Sequence, residues 1–350
     1  MDCYTFERAF INTPHIEPIL DLKIENEQVL YTTGIDGQTH VFDLYKEAFI
    51  RSYHTEGRNT KISIDQNSST IGISNSKSIL FYDRCSPTHK SVSKMMIKNN
   101  DDCKMDFRPN YTTKTEFIVT NGTDELNMFD HRNYNTPIYK YSTRNILAGI
   151  SNVEWNKAGT HFLVSECFDT ASLYSAKRNK AQMKFVKNKP NNHKTGKTFR
   201  FGGPDDEYVL GGFDDKKLCY WKILPDPSWK NLFNIKNKSI ELFDHEMSSS
   251  EEMNIEKDAF TYGICRTICS KTKDNIVMNN MRMELMGFNS IVNQAVMHPK
   301  IPRIFATGIE NILYAFSPDY LGQDDPHLLL NSDTIEVFDQ LEIDMYDFLI

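Results

Sequence analysis

Residues 199–223 read FRFGGPDDEYVLGGFDDKKLCYWKI, and this stretch decides the fold. Tyr208-Val209-Leu210 joins aromatic and β-branched residues in a run short enough for a buried strand. Gly211-Gly212-Phe213-Asp214-Asp215 has the composition of a turn, because glycine accepts positive φ and aspartate bonds nearby backbone N–H groups. Leu218-Cys219-Tyr220-Trp221 is then a second strand closed by an aromatic. One strand–turn–strand unit fits any β-hairpin, so the decision rests on recurrence.

The unit recurs. Leu30–Gly34 leads through Asp36 to His40-Val41-Phe42-Asp43, and Ile71–Asn75 leads to Leu80-Phe81-Tyr82-Asp83. Phe117–Thr120 leads through Asp124 to Leu126–Asp130, and Phe162–Ser165 leads through Asp169 to Ala171–Tyr174. Ile304–Gly308 leads to Ile312–Phe316. The closing aromatics are Phe42, Tyr82, Phe129, Tyr174, Trp221 and Phe316. The first five follow one another at spacings of 40, 47, 45 and 47 residues, and the last comes 95 residues later. A period of about 40–45 residues with four strands per repeat is that of a WD-type β-propeller. Such units repeat because one blade cannot bury both of its faces, whereas neighbours in a ring cover each other.

The chain is therefore expected to be all-β, a WD40-type propeller over 1–318. Six units are recognisable, at 16–43, 56–83, 92–130, 148–175, 196–223 and 291–316, and seven blades are expected in the ring. Residues 1–15 are an approach segment that can add a closing strand. The double spacing before the last unit points to an insertion over 233–285. It is rich in polar residues such as Ser248-Ser249-Ser250-Glu251-Glu252 and reads as partly disordered, with a degenerate blade containing Ala259–Cys265 as the alternative. Residues 319–350 form an acidic tail.

Composition narrows the function. The 350 residues carry a net charge of −7 and 12% aromatics, which suits packed blades and gives no reason to expect nucleic acid as a partner. The lysine-rich run Lys180–Lys197 reads as a solvated loop between blades. No apolar run is long enough to span a membrane, so no membrane partner is expected. Without a signal-like N-terminus, the expected location is the nucleus or the cytoplasm. Seven cysteines then read as small buried hydrophobes rather than as a disulfide set. Four N-x-S/T matches, at Asn67, Asn110, Asn121 and Asn237, read as chance in an Asn-rich chain.

Chemical motifs are weak. Asn191–Thr198 ends like a phosphate loop but has Asn191 where the first glycine belongs. Cys265 and Cys269 make a C-x₃-C pair without further ligands nearby, so no metal site and no cofactor are expected. No Ser/His/Asp, HExxH or G-x-S-x-G pattern is present, and no catalytic residue is expected. Asp36, Asp124, Asp169, Asp214 and Asp215 read as turn caps. What remains is the set of residues just beyond the closing aromatics. In Phe129-Asp130-His131-Arg132, Arg132 stands past the third strand of its blade, where a guanidinium fork can meet a partner carboxylate.

The stretch from Phe201 to Trp221 resembles a blade of the cullin-4-associated WD-repeat factors, most of all their fifth-factor branch. Met286–Gln294, Met297-His298-Pro299, Thr307–Glu310 and Phe316-Ser317-Pro318 are similar to that family as well. The resemblance covers 196–318 well and 16–175 through order and spacing. It implies a non-catalytic substrate receptor that docks on the adaptor of a cullin-4 RING ubiquitin ligase and presents a protein substrate that the sequence does not name. The family's adaptor mark is aromatic-Asp-x-Arg at the end of two consecutive blades. Phe129-Asp130-His131-Arg132 carries it. Tyr82-Asp83-Arg84-Cys85 departs from it, with Arg84 one residue early and Cys85 in the expected place. The adaptor contacts implied are Asp130 and Arg132, with Asp83 and Arg84 as the second pair. A propeller scaffold that bridges partners without any ligase is the alternative reading.

Overall fold

The computed structural model describes residues 14–97, 103–109, 116–144, 146, 149–167, 170–187, 197–223, 269–271, 277–279, 282–300, 303–310, 312–316 and 336–337. These residues form 26 strands. Among them no helix is long and apolar enough to cross a membrane. The chain divides into two units, residues 1–184 and 185–350.

The first unit holds four blades. Blade 1 is β1 (Ile19–Glu25), β2 (Val29–Gly34), β3 (Gln38–Asp43) and β4 (Ala48–His54). Blade 2 is β5 (Asn59–Ile64), β6 (Thr70–Asn75), β7 (Ser78–Asp83) and β8 (Ser93–Met96). Blade 3 is β9 (Lys104–Phe107), β10 (Glu116–Thr120), β11 (Leu126–Asp130) and β12 (Tyr139–Lys140). Blade 4 is β13 (Ile150–Trp155), β14 (His161–Glu166), β15 (Thr170–Ser175) and β16 (Ala181–Val186). In each, the strands pair in chain order, which is the up-and-down order of a propeller blade.

The second unit holds two more. Blade 5 begins with β17 (Arg200–Gly202), β18 (Tyr208–Gly212) and β19 (Leu218–Lys222). A hairpin of β20 (Cys269–Lys271) and β21 (Val277–Asn279) precedes β22 (Arg282–Leu285), which pairs with β19 as the fourth strand of blade 5. Blade 6 is β23 (Val292–Met297), β24 (Ile304–Gly308), β25 (Leu313–Phe316) and β26 (Glu336–Val337). Six blades are thus shown, and a seventh is not shown among the described residues. Residues 1–13, Ala259–Cys265, the phosphate-loop-like run 191–196, Asp169 and most of 233–285 and 319–350 lie outside the described residues.

The closing aromatics carry the core. Phe42, Tyr82, Phe129, Tyr174, Trp221 and Phe316 are all buried. Their positions follow from strand alternation, because every second side chain of the third strand faces a neighbouring blade. In blade 4, Phe162 and Tyr174 stack at 5.3 Å between ring centres and only 4° apart in plane. Phe81 of blade 2 meets Phe107 and Phe117 of blade 3 at 6.2 and 5.4 Å. Offset and edge contacts of this kind add about 0.5–1.5 kcal/mol each beyond the area that they bury.

Three readings of the sequence change. Ser93–Met96 belongs to blade 2 as its outer strand, so blade 3 begins at Lys104 rather than near 92. Lys180–Lys197 is not simply a solvated loop. Ala181, Met183 and Phe185 alternate inward as β16, and Lys184, Lys187 and Lys197 pair with Glu166, Asp215 and Asp214. Gly211 and Gly212 are strand residues rather than turn residues, and neither has positive φ. They are glycines because of close approach: a Cβ on Gly211 would lie 2.3 Å from the Phe199 ring, and one on Gly212 would lie 2.4 Å from the Val292 carbonyl oxygen.

Polar clasps join successive inner strands of the first unit. The Ile62 N–H donates to Asp21 Oδ2 (3.1 Å), the Phe107 N–H to Ser63 Oγ (2.9 Å) and the Trp155 N–H to Asp106 Oδ2 (2.9 Å). The Ser63 hydroxyl donates to Asp106 Oδ1 at 2.7 Å. A register shift recurs near the start of β1, β5 and β13. Such bulges re-aim the side chains that follow them. Lys61 and Asn152 stand just past two of them, and Lys61 Nζ donates to Asn152 Oδ1 at 2.7 Å and to the Val153 carbonyl.

Candidate functional site

The candidate site is built on one turn used three times. In blades 1, 2 and 3 an aspartate ends the third strand and folds its carboxylate over the next residues. Asp43 Oδ1 accepts from the N–H groups of Tyr45 (3.1 Å) and Lys46 (3.0 Å), Asp83 Oδ1 from that of Cys85 (2.9 Å), and Asp130 Oδ1 from that of Arg132 (2.9 Å). Short acidic side chains do this readily because their oxygens reach an N–H two residues on. At Asp83 and Asp43 the bonds favour the ionised carboxylate. Asp83 is held below the usual carboxylate range, first by the Ser69 hydroxyl and then by the Cys85 N–H. Asp43 is lowered likewise, first by the Lys46 N–H. In blade 4, Ser175 Oγ accepts from the Lys177 N–H at 3.3 Å in the same place.

The residue two beyond the acid is therefore set in a fixed direction. It is Tyr45, Cys85 and Arg132 in the three blades, each with an exposed side chain. Around Arg132 the turn is further anchored. Asp130 pairs with Asn133 across the turn, whose N–H donates to the Asp130 carbonyl at 2.9 Å. His131 packs edge-on to Phe81 of blade 2 at 4.7 Å, and Tyr134 stacks on the same ring at 5.8 Å. Burial pushes the His131 pKa down, which favours the neutral ring. Arg132 thus projects from a turn pinned to two blades.

Arg84 is placed differently. Its guanidinium forms an ion pair with Glu25 at the end of β1 and donates to the carbonyls of Asp65 (3.1 Å) and Ser68. The side chains of Arg84 and Glu25 are 18% and 19% exposed. Burial lowers the Arg84 pKa as well. Glu25 in turn accepts from the Tyr31 hydroxyl at 3.0 Å, so the pair braces blade 1 against blade 2. The one-residue offset between Arg84 and Arg132 separates a brace from an exposed cation. Asp83 and Asp130 both act on the backbone of their own turns.

Beside these turns, the far ends of the inner strands of blades 1 to 4 surround a cavity of about 610 Å³. Lys23, Glu25, Asp106, Glu154, Trp155 and Lys157 bring both signs of charge to its wall. Phe107 and Trp155 are its large aromatics. Trp155 is fixed through its indole N–H, which donates to the Asp106 carbonyl at 3.2 Å, and Arg108 lies 5.3 Å over its ring. A wall of mixed charge suits a polar segment better than an apolar small molecule.

Arg132 was visible in the sequence as aromatic-Asp-x-Arg. Glu25, His131 and Tyr134 were not, because each acts through a residue from another blade. The turn aspartates read from sequence hold different posts. Asp36 caps its turn through the Gln38 N–H at 3.0 Å. In the corresponding turn of blade 3 the capping side chain is Asn121, whose Oδ1 accepts from the N–H groups of Thr123, Asp124 and Glu125, and Asp124 supports it. No family model matches the chain, and no curated protein matches it.

Proposed function

We propose that this chain is a non-catalytic interaction propeller whose docking edge is the turn Phe129–Arg132, and that the partner taken there is the adaptor of a cullin-4 ubiquitin ligase. A β-propeller fits a protein-interaction scaffold, since stacked blades leave rigid turns and loops on their rims. The observation that carries the docking edge is the fixed turn at Asp130. An arginine held in place before binding loses less conformational freedom when it meets a carboxylate. The ligase as partner rests on the resemblance in sequence, and the substrate presented is a protein.

The second reading, a scaffold with no ligase, is favoured by one observation: Arg84 is committed to Glu25, so one arginine of the implied pair is already engaged. Wild type, Arg132→Glu and Arg84→Glu proteins are to be used to recover the adaptor from cell extract. The expected result is recovery by wild type, a loss of more than about 10-fold with Arg132→Glu, as for a charged hot spot, and destabilisation without specific loss of binding for Arg84→Glu. No adaptor recovered by folded wild type would leave the scaffold reading.

A further inference from the structure

A groove of about 460 Å³ runs between the outer parts of blades 1 and 2, away from the docking edge. Two lysines and two histidines, Lys90, Lys94, His54 and His89, stand along it against one acid, Glu56. That excess of basic side chains is found on a chain whose net charge is −7. Leu80 and Tyr82 form the floor. Strand alternation puts them there: they stand two apart on β7 and turn the same way, into the apolar cluster that also holds Tyr53 of blade 1. Lys94 of β8 is the cross-strand partner of Leu80, so its side chain is on that same face.

Hydrogen bonds between the two blades fix both walls. The Tyr82 hydroxyl donates to the His54 carbonyl at 3.1 Å, and the Tyr82 ring lies 4.7 Å from that of Tyr53. At one end Asn75 Nδ2 donates to the Glu56 carbonyl at 3.2 Å. At the other end Arg51 of β4 donates to the Ser86 carbonyl at 2.8 Å. Ser86 Oγ then accepts from the Thr88 N–H at 3.2 Å, which holds the loop that carries His89 and Lys90. The His89 ring meets the Tyr53 ring edge-on at 6.5 Å. The lysines take no part in this frame. Both are exposed, and among the described residues neither ammonium group has an acid partner.

We propose that this groove binds an extended acidic peptide segment of a partner protein. The sign follows from the side chains along it, because a groove lined mainly by one sign of charge attracts the other. The extended form follows from its course along β7, from the β6–β7 turn at Asn75 to Tyr82. That course is about 13 Å, the reach of roughly four extended residues. Acidic side chains meet Lys90 and Lys94, and the stem of the peptide lies over Leu80 and Tyr82. Glu56 excludes an acid from its own end and so gives the peptide a direction. A nucleic-acid strand suits the groove less well, because its phosphates need a continuous basic track and both Glu56 and the net charge repel them. The proposal does not rest on the ligase reading, since it uses neither the Asp130 turn nor Arg132.

The test begins with selection of random peptides of about eight residues, twice the length that the groove covers, on the immobilised full chain. The selected peptides are then labelled with fluorescein and titrated by anisotropy. The expected result is enrichment of Asp and Glu and a Kd of about 100 µM or tighter. Binding should weaken as the salt rises from about 50 mM to about 300 mM. Lys90→Glu combined with Lys94→Glu should weaken it at least about 10-fold, as reversal of two contacting charges does. Lys140→Glu, an exposed change on the outer strand of blade 3, should leave it unchanged. Should the double reversal fail to fold, Lys90→Gln with Lys94→Gln removes the charges alone and should weaken binding in the same direction. No enrichment on folded wild type, selected peptides without acids, or acidic peptides bound equally by wild type and the folded double variant would each overturn the proposal. So would an oligonucleotide that displaces the peptides and binds more tightly than they do.

Discussion

At the scale of single residues, the same side-chain type does opposite work according to one position along a strand. Arg84 and Arg132 follow aspartates in homologous turns, yet the first is drawn back onto Glu25 and the second is exposed. Each position of the capped turn is held in its own direction, so the one-residue shift decides the role. Lys61 is the other residue whose environment sets its chemistry. Burial pushes its pKa down to about 8, while the Asp106 carboxylate pulls upward. Its folded pKa lies below that of the unfolded chain, so the unfolded state binds more protons between these values. Stability tied to Lys61 is therefore lowest below pH 8 and rises as the pH climbs toward 10. The expected gain is about 2 kcal/mol from pH 8 to pH 10, read from urea melts. Lys61→Met should lack that rise, and a parallel pH dependence in the two proteins would show that Lys61 is not its source.

At the scale of elements, the paired glycines of β18 show what backbone proximity demands. A Cβ at Gly212 would meet the carbonyl oxygen of Val292, a main-chain atom held in β23. Gly212→Ala should thus destabilise the protein by about 1–3 kcal/mol, although alanine suits a strand no worse than glycine. A denaturation midpoint equal to wild type would mean that β23 yields more easily than this packing implies. The third strands were legible in the sequence because a buried aromatic closes each of them, followed in blades 1 to 4 by a capping residue. The outer strands were not. β16 sits inside a lysine-rich run, and its Lys184 finds its acid, Glu166, on another strand of the blade. β12 has two residues, too few for any period to show. β22 stands far along the chain from its partner β19. In the candidate site, Arg132 was legible from four consecutive residues. The Glu25 brace and the His131 anchor were not, because each joins residues that only the fold brings together.

At the scale of the whole molecule, repetition makes stability a matter of neighbours. In the first unit, blades 1 to 4 lean on one another in turn through inner-strand clasps as well as through apolar packing. Asp106 is the busiest of these, taking hydrogen bonds from Ser63 in blade 2 and Trp155 in blade 4. Asp106→Ala leaves buried donors in both blades without an acceptor, at a cost of about 1–3 kcal/mol for each. Hydrogen exchange should accordingly quicken in β5 and β13 together, with β24 of blade 6 little changed. Faster exchange confined to β9 would show that the clasps do not couple the blades.

Blade 5 has a far longer span of chain between its third and fourth strands than blades 1 to 4. Its third strand ends at Lys222 and its fourth begins at Arg282, so the sheet fixes both ends of the intervening segment. The entropy of closing such a loop grows only with the logarithm of its length, about 0.6 kcal/mol for each doubling. Residues can be gained or lost there across generations while every strand pair of blade 5 is kept. In evolutionary terms, this is where the chain is most open to acquiring new sequence.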